Sequence, residues 1–285
     1  MDTRLASVDR HQVYRAFMEA FADYAMDASG TQEETMLLRM SKNSVDYAAS
    51  PGAYDGDRLV GFTLIGVDAI NGELTAYDAG TGIVPEFRGQ GLAKRMFDHA
   101  LPALKERGVG RFILEVLQEN EPAIKAYQKS GFAIEREFRC YVGQTEQLRS
   151  RPSVEEFRMA TVNAMAFEAL ISEADWIPSF ENRFSAYKSI PEHVSFLGAL
   201  DGSECVGIIA YCQPLNWLLS VIVKRSHRRR GVGLALVKQL ADTMLAGTPR
   251  IAALNVDGED AAMQLFFESL GFVSLVNQYE MARAL

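Results

Sequence analysis

The sequence predicts an α/β protein of the α+β type in which one fold is used twice. Three observations support this prediction. The chain of 285 residues is longer than one hydrophobic core usually supports, two sequence patterns recur at one spacing, and both halves show the same order of strands and helices. Hydrophobic residues make up 48% and charged residues 23%, which is typical of globular domains. Each half is therefore expected to fold around its own core.

The repeat is defined by two matches that share an offset of 140 residues. The segment RGQGLA at 88–93 is answered by RRRGVG at 228–233, and YQKSGF at 127–132 is answered by FESLGF at 267–272. Two independent matches at one offset indicate a duplicated domain.

The boundary between the copies is predicted from composition. Residues 143–153 (GQTEQLRSRPS) have almost no apolar side chains and end in a Pro-Ser pair, which is typical of a linker. We predict an N-terminal domain at 1–145, a linker at 146–154 and a C-terminal domain at 155–285.

The elements of the first copy follow from hydrophobic spacing and turn residues. Apolar residues at helical spacing predict a helix over 10–26, and a polar loop follows it. Asp55-Gly56 and its counterpart Asp201-Gly202 each precede a β-rich segment and mark matching hairpin turns in the two copies. The elements predicted after the polar loop are a hairpin of 58–67 and 74–84, a helix from about Gly91, a strand at 112–117, a helix at 122–130 and a strand at 132–141.

Charge and cysteine content restrict the function classes. A formal net charge of -8 argues against a nucleic-acid or anionic-membrane binder, which needs a positive face. The three cysteines include no CxxC pair, so they are expected to be reduced, and the charged N-terminus has no signal-peptide pattern. We expect a cytoplasmic protein.

One uncharged stretch, 205–223, is as long as a membrane span. Gln213, Pro214 and Asn216 interrupt it and divide it into two β-rich segments, 206–211 and 217–223. Buried strands are therefore predicted in place of a membrane helix.

The repeated Arg-x-x-Gly-x-Ala/Gly pattern follows a strand and opens a helix. Backbone amides and a helix N-terminus then converge at one place, which is favourable for an anion such as a phosphate. A solvated strand-to-helix turn is the alternative, and the basic run of the second copy has the same two explanations. A Walker A loop is excluded because no Gly-Lys-Ser/Thr follows, and the dinucleotide pattern lacks its third small residue.

Two segments of the first copy resemble conserved motifs of a known family. The sequence IVPEFRGQGLA at 83–93 resembles motif A of the GNAT superfamily of acyl-CoA-dependent N-acyltransferases, and the Asn, Ala, Tyr and Gly-Phe pattern over 120–132 resembles its motif B. The resemblance implies two tandem GNAT domains, each a mixed, mostly antiparallel sheet flanked by helices. It also implies acetyl-CoA as the cosubstrate and no metal.

The resemblance assigns cofactor-binding residues in both copies. Amides near Ile83 and Val84 would polarise the thioester carbonyl, the motif A amides would bind the diphosphate, and Asn120 would bind the pantetheine arm. Asn120 is alternatively the N-cap of the helix that follows it. The predicted residues are Ile83, Val84, Arg88, Gly89, Gln90, Gly91, Leu92, Ala93 and Asn120 in the first copy, and Arg228, Arg229, Arg230, Gly231, Val232 and Gly233 in the second.

The resemblance also suggests Glu115 as general base and Tyr127 as general acid. Glu115 lies in the middle of an apolar strand, where partial burial is expected to raise its pKa toward neutrality. The alternatives are that Glu115 points to solvent and that Tyr127 only packs in the core. The second copy has Asn255 and Phe267 at these places, so our hypothesis is that it no longer catalyses, although it may retain coenzyme A binding.

The predicted function is therefore acetyl-CoA-dependent N-acetyl transfer to a primary amine of a small molecule or peptide, by direct transfer in a ternary complex. The alternative is a non-catalytic acyl-CoA sensor or scaffold. Acceptor choice is assigned to residues 21–50, with Tyr77 and Asp78. Residues 1–60 hold ten acids and six bases, which indicates either a cationic amine or a solvated acidic face. The sequence leaves the oligomeric state open.

Overall fold

The computed structural model describes residues 3–23, 30–245 and 247–285. The helices are α1 (Arg10–Ala20), α2 (Glu33–Lys42), α3 (Leu92–Glu106), α4 (Glu121–Lys129), α5 (Thr145–Arg149), α6 (Ala164–Leu170), α7 (Ala186–Ser189), α8 (Val232–Thr243) and α9 (Ala261–Ser269). The strands are β1 (Arg4–Ser7), β2 (Pro51–Asp55), β3 (Arg58–Ile70), β4 (Glu73–Ile83), β5 (Arg111–Leu117), β6 (Ala133–Gln144), β7 (Arg158–Val162), β8 (Val194–Asp201), β9 (Glu204–Cys212), β10 (Trp217–Val223), β11 (Arg250–Asp257) and β12 (Val273–Ala284).

The chain forms two compact units, and one of them is discontinuous in sequence. The first unit comprises Met1–Arg136 and Tyr279–Leu285, and the second comprises Glu137–Gln278. Strand β6 therefore begins in the first unit and ends in the second, whereas the end of β12 belongs to the first unit. The last strand of each sequence copy, β6 or β12, therefore contributes part of its length to the other unit.

These limits differ from the domain ranges 1–145 and 155–285 predicted from composition. The residues predicted as a linker, 146–154, begin within α5, and Leu148 of that helix is buried in the core of the second unit. A polar composition concealed this helix because Leu148 is its only apolar residue, although Thr145 is buried as well.

Each unit contains a mixed sheet that is mostly antiparallel, as predicted. In the first unit the order is β1-β2-β3-β4-β5, with the end of β12 beside β5; β4 and β5 run parallel, and the pairs from β1 to β4 are antiparallel. In the second unit the order is β6-β11-β10-β9-β8-β7, and only β10 and β11 run parallel. The predicted apolar stripe of α3 is buried: Leu92, Met96, Phe97, Ala100, Leu101 and Leu104.

A β-bulge separates the two parallel strands of the first unit. Neighbouring residues of β3 pair with Gly80 and Asp78 of β4, so Ala79 is an extra residue on β4. The ladder between β4 and β5 ends at the Asp78–Leu114 pair, although β4 continues for five more residues, 79–83. A gap therefore opens between the ends of β4 and β5.

The second unit repeats this arrangement and adds a second bulge. Leu219 is the extra residue on β10, and β10 pairs with β11 only through Trp217 and Leu218. On β11, Leu254 and Asn255 together lie opposite Cys140 of β6, so β11 has one more residue than β5 at this point.

The structure corrects the prediction for the polar loop after the first helix and confirms the prediction for the uncharged stretch. The polar loop predicted after the first helix contains α2, whose Met36 and Met40 are buried one turn apart. Part of the predicted helix over 10–26 lies outside the described residues. The uncharged stretch 205–223 forms β9 and β10, as predicted, and none of the described helices is both long and apolar enough to cross a bilayer.

Candidate active site

The loop between β4 and α3 of the first unit leaves space in front of its backbone. Gly89 and Gly91 have φ angles of 74° and 71°, a region that glycine adopts without strain. A Cβ built on either glycine would meet no described atom within 4 Å. Gly91 is the N-cap of α3 and has no side chain to bind the first amides of the helix. Backbone donors at this loop are therefore accessible to an anion.

Arg88 is the first residue of this loop, and its polar groups are used within the chain. Its guanidinium donates to both carboxylate oxygens of Asp23 at 2.7 Å, to Ala20 O at 2.9 Å and to Ile83 O at 3.2 Å. Its backbone amide donates to Pro85 O at 3.2 Å. The donors that face an anion at this loop thus begin at Gly89.

The amides at the end of β4 point in alternate directions. Val84 N donates to Val60 O of β3 at 3.0 Å, so this amide is already satisfied. In an antiparallel ladder the neighbouring residue directs its N–H to the other side. The amide of Ile83 therefore points away from β3, toward the gap beside β5.

Glu115 lies on β5, one residue beyond the last pair with β4. Its Oε2 accepts a hydrogen bond of 3.0 Å from the Tyr77 hydroxyl, and Tyr77 is 2% exposed. The predicted base is thus joined to a buried tyrosine of the neighbouring strand. From the sequence, Tyr77 is assigned to acceptor choice. Its hydrogen bond to Glu115 is not indicated by the local sequence, because only the pairing of β4 and β5 brings the two residues together.

Asp78 is a second acid at the same strand end, and it is 5% exposed. Its carboxylate accepts hydrogen bonds from the Thr81 hydroxyl at 2.7 Å and from Gly80 N at 3.0 Å. Burial raises the pKa of Asp78 to about 6, although these two hydrogen bonds oppose the shift. The counterpart of Asp78 in the second unit is Leu218.

Tyr127 and Asn120 both occupy structural positions in the first unit. The Tyr127 ring packs edge-on against Phe97 and Phe132, with centroids 5.9 and 6.1 Å apart. Asn120 Oδ1 accepts from Ala123 N at 3.1 Å, so Asn120 is the N-cap of α4. Asp260 caps α9 in the same way, so capping is the property that the two copies share at this position.

The corresponding loop of the second unit is crowded. Arg229 replaces Gly89 and adopts a φ of 64°, which is unfavourable for a residue with a Cβ. A Cβ built on Gly231 would lie 3.3 Å from Val154, and one built on Gly233 would lie 2.8 Å from Phe266. The loop described here has less room for a ligand than its counterpart in the first unit.

The arginines of this second loop are also paired with carboxylates. Arg228 contacts Asp175, and Arg230 contacts Glu156 and lies over the ring of Phe157. These contacts favour the solvated basic turn over a phosphate site as the explanation of the basic run.

At the positions equivalent to Glu115 and Tyr127, the second unit has no acid–base group. Asn255 is 1% exposed with a φ of 55°, and its Oδ1 accepts from Gln278 at 2.9 Å. Phe267 stacks on Tyr141 with ring centroids 5.6 Å apart. The gap between β10 and β11 is an apolar pocket to which Leu219, Val221, Val256, Met263 and Phe267 contribute.

The chain belongs to the acetyltransferase (GNAT) family, whose sequence pattern matches residues 10–132 and 161–272. N-alpha-acetyltransferase 30 of Schizosaccharomyces pombe is 35% identical over 99 residues, which is 34% of this chain and 66% of that protein. Streptothricin acetyltransferase of Streptomyces lavendulae is 42% identical over 79 residues (28% and 40%), and mycothiol acetyltransferase of Geodermatophilus obscurus is 31% identical over 135 residues (45% and 42%). The chain thus spans two thirds or less of the length of these relatives.

Solved structures share the architecture of the whole chain. A tandem GNAT protein from the clavulanic acid biosynthesis pathway superposes with a TM-score of 0.74 at 13% identity, covering 99% of this chain and 98% of that one. A GCN5-related N-acetyltransferase from Sphaerobacter thermophilus has a TM-score of 0.71 at 15% identity, covering 99% and 95%. At these identities the likeness supports the tandem GNAT fold. In the described part of the chain, no three His, Cys, Asp or Glu side chains are grouped as metal ligands.

Proposed function

We propose that the first unit is an acetyl-CoA-dependent N-acetyltransferase that acts on a primary amine by direct transfer in a ternary complex. The observation that carries this proposal is the Glu115–Tyr77 pair at the point where β4 and β5 separate, next to an open loop of glycine amides. A carboxylate, a gap and an anion-binding loop are the parts that thioester aminolysis requires.

The first unit has residues suited to hold acetyl-CoA, which supplies an acetyl group activated as a thioester. The amides from Gly89 to Ala93 would bind the diphosphate, because the loop is open and no side chain caps α3. The amide of Ile83, which points into the gap, would donate to the thioester oxygen as negative charge develops there. Val84 and Arg88 are less suited to direct contact, since their amides are already bonded.

The proton transfers are assigned to two side chains. Glu115, oriented by Tyr77, would accept the proton that the amine loses, directly or through water, as its nitrogen bonds to the acetyl carbon. When the carbon–sulfur bond breaks, Tyr127 would donate its phenolic proton to the departing thiolate. The products are an N-acetylated amine and free coenzyme A, and both residues regain their protonation states from solvent.

We propose that the second unit does not catalyse this reaction. Phe267 has no proton to donate, and Asn255 is neither a useful base nor placed on a regular strand. The contacts of Val154 and Phe266 with the glycine loop do not fit coenzyme A as the loop stands. Isothermal titration with acetyl-CoA is expected to give one site per chain, and a stoichiometry of two would contradict this assignment.

The acceptor class is open to a direct experiment. The purified chain is incubated with acetyl-CoA and a panel comprising a polyamine, an aminosugar, streptothricin and a peptide with a free N-terminus. Free thiol and product mass are followed. Thiol release that depends on one amine, and that is lost in Glu115→Gln, supports the enzyme. Binding of acetyl-CoA without amine-dependent thiol release would support the sensor instead, and absence of binding would overturn both.

A further inference from the structure

The side chain of Arg88 joins three separate parts of the first unit. Its four hydrogen bonds reach Asp23 twice, the last residue of α1 through Ala20 O, and the end of β4 through Ile83 O. A guanidinium has five N–H groups, so four are committed within the chain. The hydrogen bond from Arg88 also holds the pKa of Asp23 below its usual range, so the pair stays ionised.

A similar set of contacts occurs in the second unit, although Arg228 contacts only one carboxylate oxygen of Asp175. Arg228 Nε donates to Val223 O at 3.1 Å, as Arg88 Nε donates to Ile83 O, five residues earlier in each case. A second nitrogen donates to Glu173 O at 2.6 Å, and a third contacts Asp175. Asn255 and Phe267 show that the units have diverged in their proposed acid–base groups, yet this set of contacts has persisted.

These contacts are not explained by the stability that an ion pair provides. The side chains of Arg88 and Asp23 are 42% and 59% exposed, and exposed ion pairs contribute little to folding. A forked, two-oxygen contact does fix geometry, because both partners must lie in one plane. Arg88 directly precedes a loop in which Gly89 and Gly91 have positive φ angles, and Gly91 begins α3 as its N-cap.

We infer that Arg88 is a positioning residue that couples the acetyl-CoA loop to the end of α1, rather than a direct phosphate ligand. Fixing Arg88 prearranges the amides that follow it, so less conformational freedom is lost when the ligand binds. Because Asp23 lies in the segment assigned to acceptor choice, residues 21–50, the contact also links the proposed acetyl-CoA loop to the proposed acceptor segment. This inference rests on the proposed function for the identity of the ligand, acetyl-CoA. The link that Arg88 makes between the loop and the end of α1 does not depend on that ligand.

Hydrogen exchange of the ligand-free chain tests the link. Arg88→Lys keeps the charge and removes the fork. It is expected to accelerate amide exchange severalfold in peptides covering 16–23 and 83–93 together. Arg228→Lys should do the same for peptides covering 168–175 and 223–233. Faster exchange confined to the loop peptide, with no change at the end of α1, would overturn the coupling whether or not the chain is an acetyltransferase.

Ligand binding distinguishes positioning from simple stabilisation. In Arg88→Lys and Asp23→Asn, we expect the acetyl-CoA Kd and the amine KM to rise about tenfold, while kcat falls less than threefold because Glu115 and Tyr127 are not displaced. Arg228→Lys and Asp175→Asn are the controls in the second unit, where Asp175 also pairs with Arg225, and the ligand constants of these variants are expected to stay unchanged. Unchanged constants in the first-unit variants would refute the positioning role. If the wild type binds no acetyl-CoA, the proposed function fails, and the exchange experiment still decides the link.

Discussion

The two units share the same order of strands and helices and differ at the positions to which we assign the proton transfers. Both have a bulged strand that separates from its parallel neighbour, and both fix the following loop with an arginine and an aspartate. Only the first has a carboxylate bonded to a tyrosine at the strand end, and only its loop is open in front of both glycines described above. Under the proposed function, the fold has persisted in a unit that does not catalyse.

The largest expected effect comes from Glu115→Gln, which removes the base and retains the shape of the side chain. We expect kcat/KM to fall by about 10²–10⁴, the usual contribution of a general base. The measurement is the initial rate of thiol release over a range of amine concentrations, with a circular dichroism spectrum to confirm the fold. The matched variant, Asn255→Ala in the second unit, should leave the rate within a factor of two or three, and an equal loss in both would contradict the assignment.

Met281→Ala is expected to destabilise the first unit by about 2–5 kcal/mol, because it empties a fully buried position. Met281 packs in the core of that unit although it lies 140 residues after its counterpart, Tyr141, which packs in the core of the second. Urea unfolding followed by hydrogen exchange reports which unit loosens. Tyr141→Ala should loosen the second unit, and the opposite pattern would contradict the exchange of end strands.

Tyr127→Phe gives the first unit the residue that the second has at this place. The ring contacts with Phe97 and Phe132 are retained, so stability should change little. Loss of the acid is expected to lower kcat by about 10–100-fold, at the lower end of what proton transfer contributes. The loss should be smaller for acyl donors with a more acidic leaving thiol. Phe267→Tyr, the reverse exchange, should add no activity.

The smallest effect concerns Asp78, whose pKa burial raises from 3.8 to about 6. The native state binds this proton more tightly than the unfolded chain, so ionisation costs stability above pH 6, and the cost disappears as the pH falls to about 3.8. Asp78→Asn should therefore raise the free energy of unfolding by about 1–3 kcal/mol at pH 7 and by little at pH 4. Leu218→Asn, its counterpart, should change stability equally at both pH values. A gain in Asp78→Asn that is independent of pH would contradict the buried charge.

Local patterns in the sequence were sufficient for much of the fold. The repeat at one offset, the turn at Asp55-Gly56 and the apolar stripe of α3 depend on residues close together in the chain, and the structure bears them out. The helix α2 was missed because polar residues flank it on both sides, although four of its ten residues are apolar. The exchange of end strands was missed because pairing between residues more than 100 positions apart leaves no periodic trace.

The candidate site was predictable to the extent that the repeat and the family motifs mark it. Glu115, Tyr127 and the glycine loop were found in this way, and their roles remain predictions. The Tyr77 bond, the burial of Asp78 and the extra residue beside Asn255 depend on strand register, which one sequence does not specify. Arg88 is predicted as a cofactor-binding residue because it belongs to motif A, whereas Asp23, its partner 65 positions earlier, is not identified by any motif.

The end of β12 has a consequence for how the protein is made. Residues 1–136 emerge from the ribosome long before Tyr279 is synthesised. The edge of β5 therefore lacks its neighbouring strand while the second unit is being synthesised. Catalysis, if it resides where we propose, begins only after the final segment of the second copy has emerged. A nascent chain that stalls short of that segment would carry every proposed catalytic residue and still lack a finished active unit.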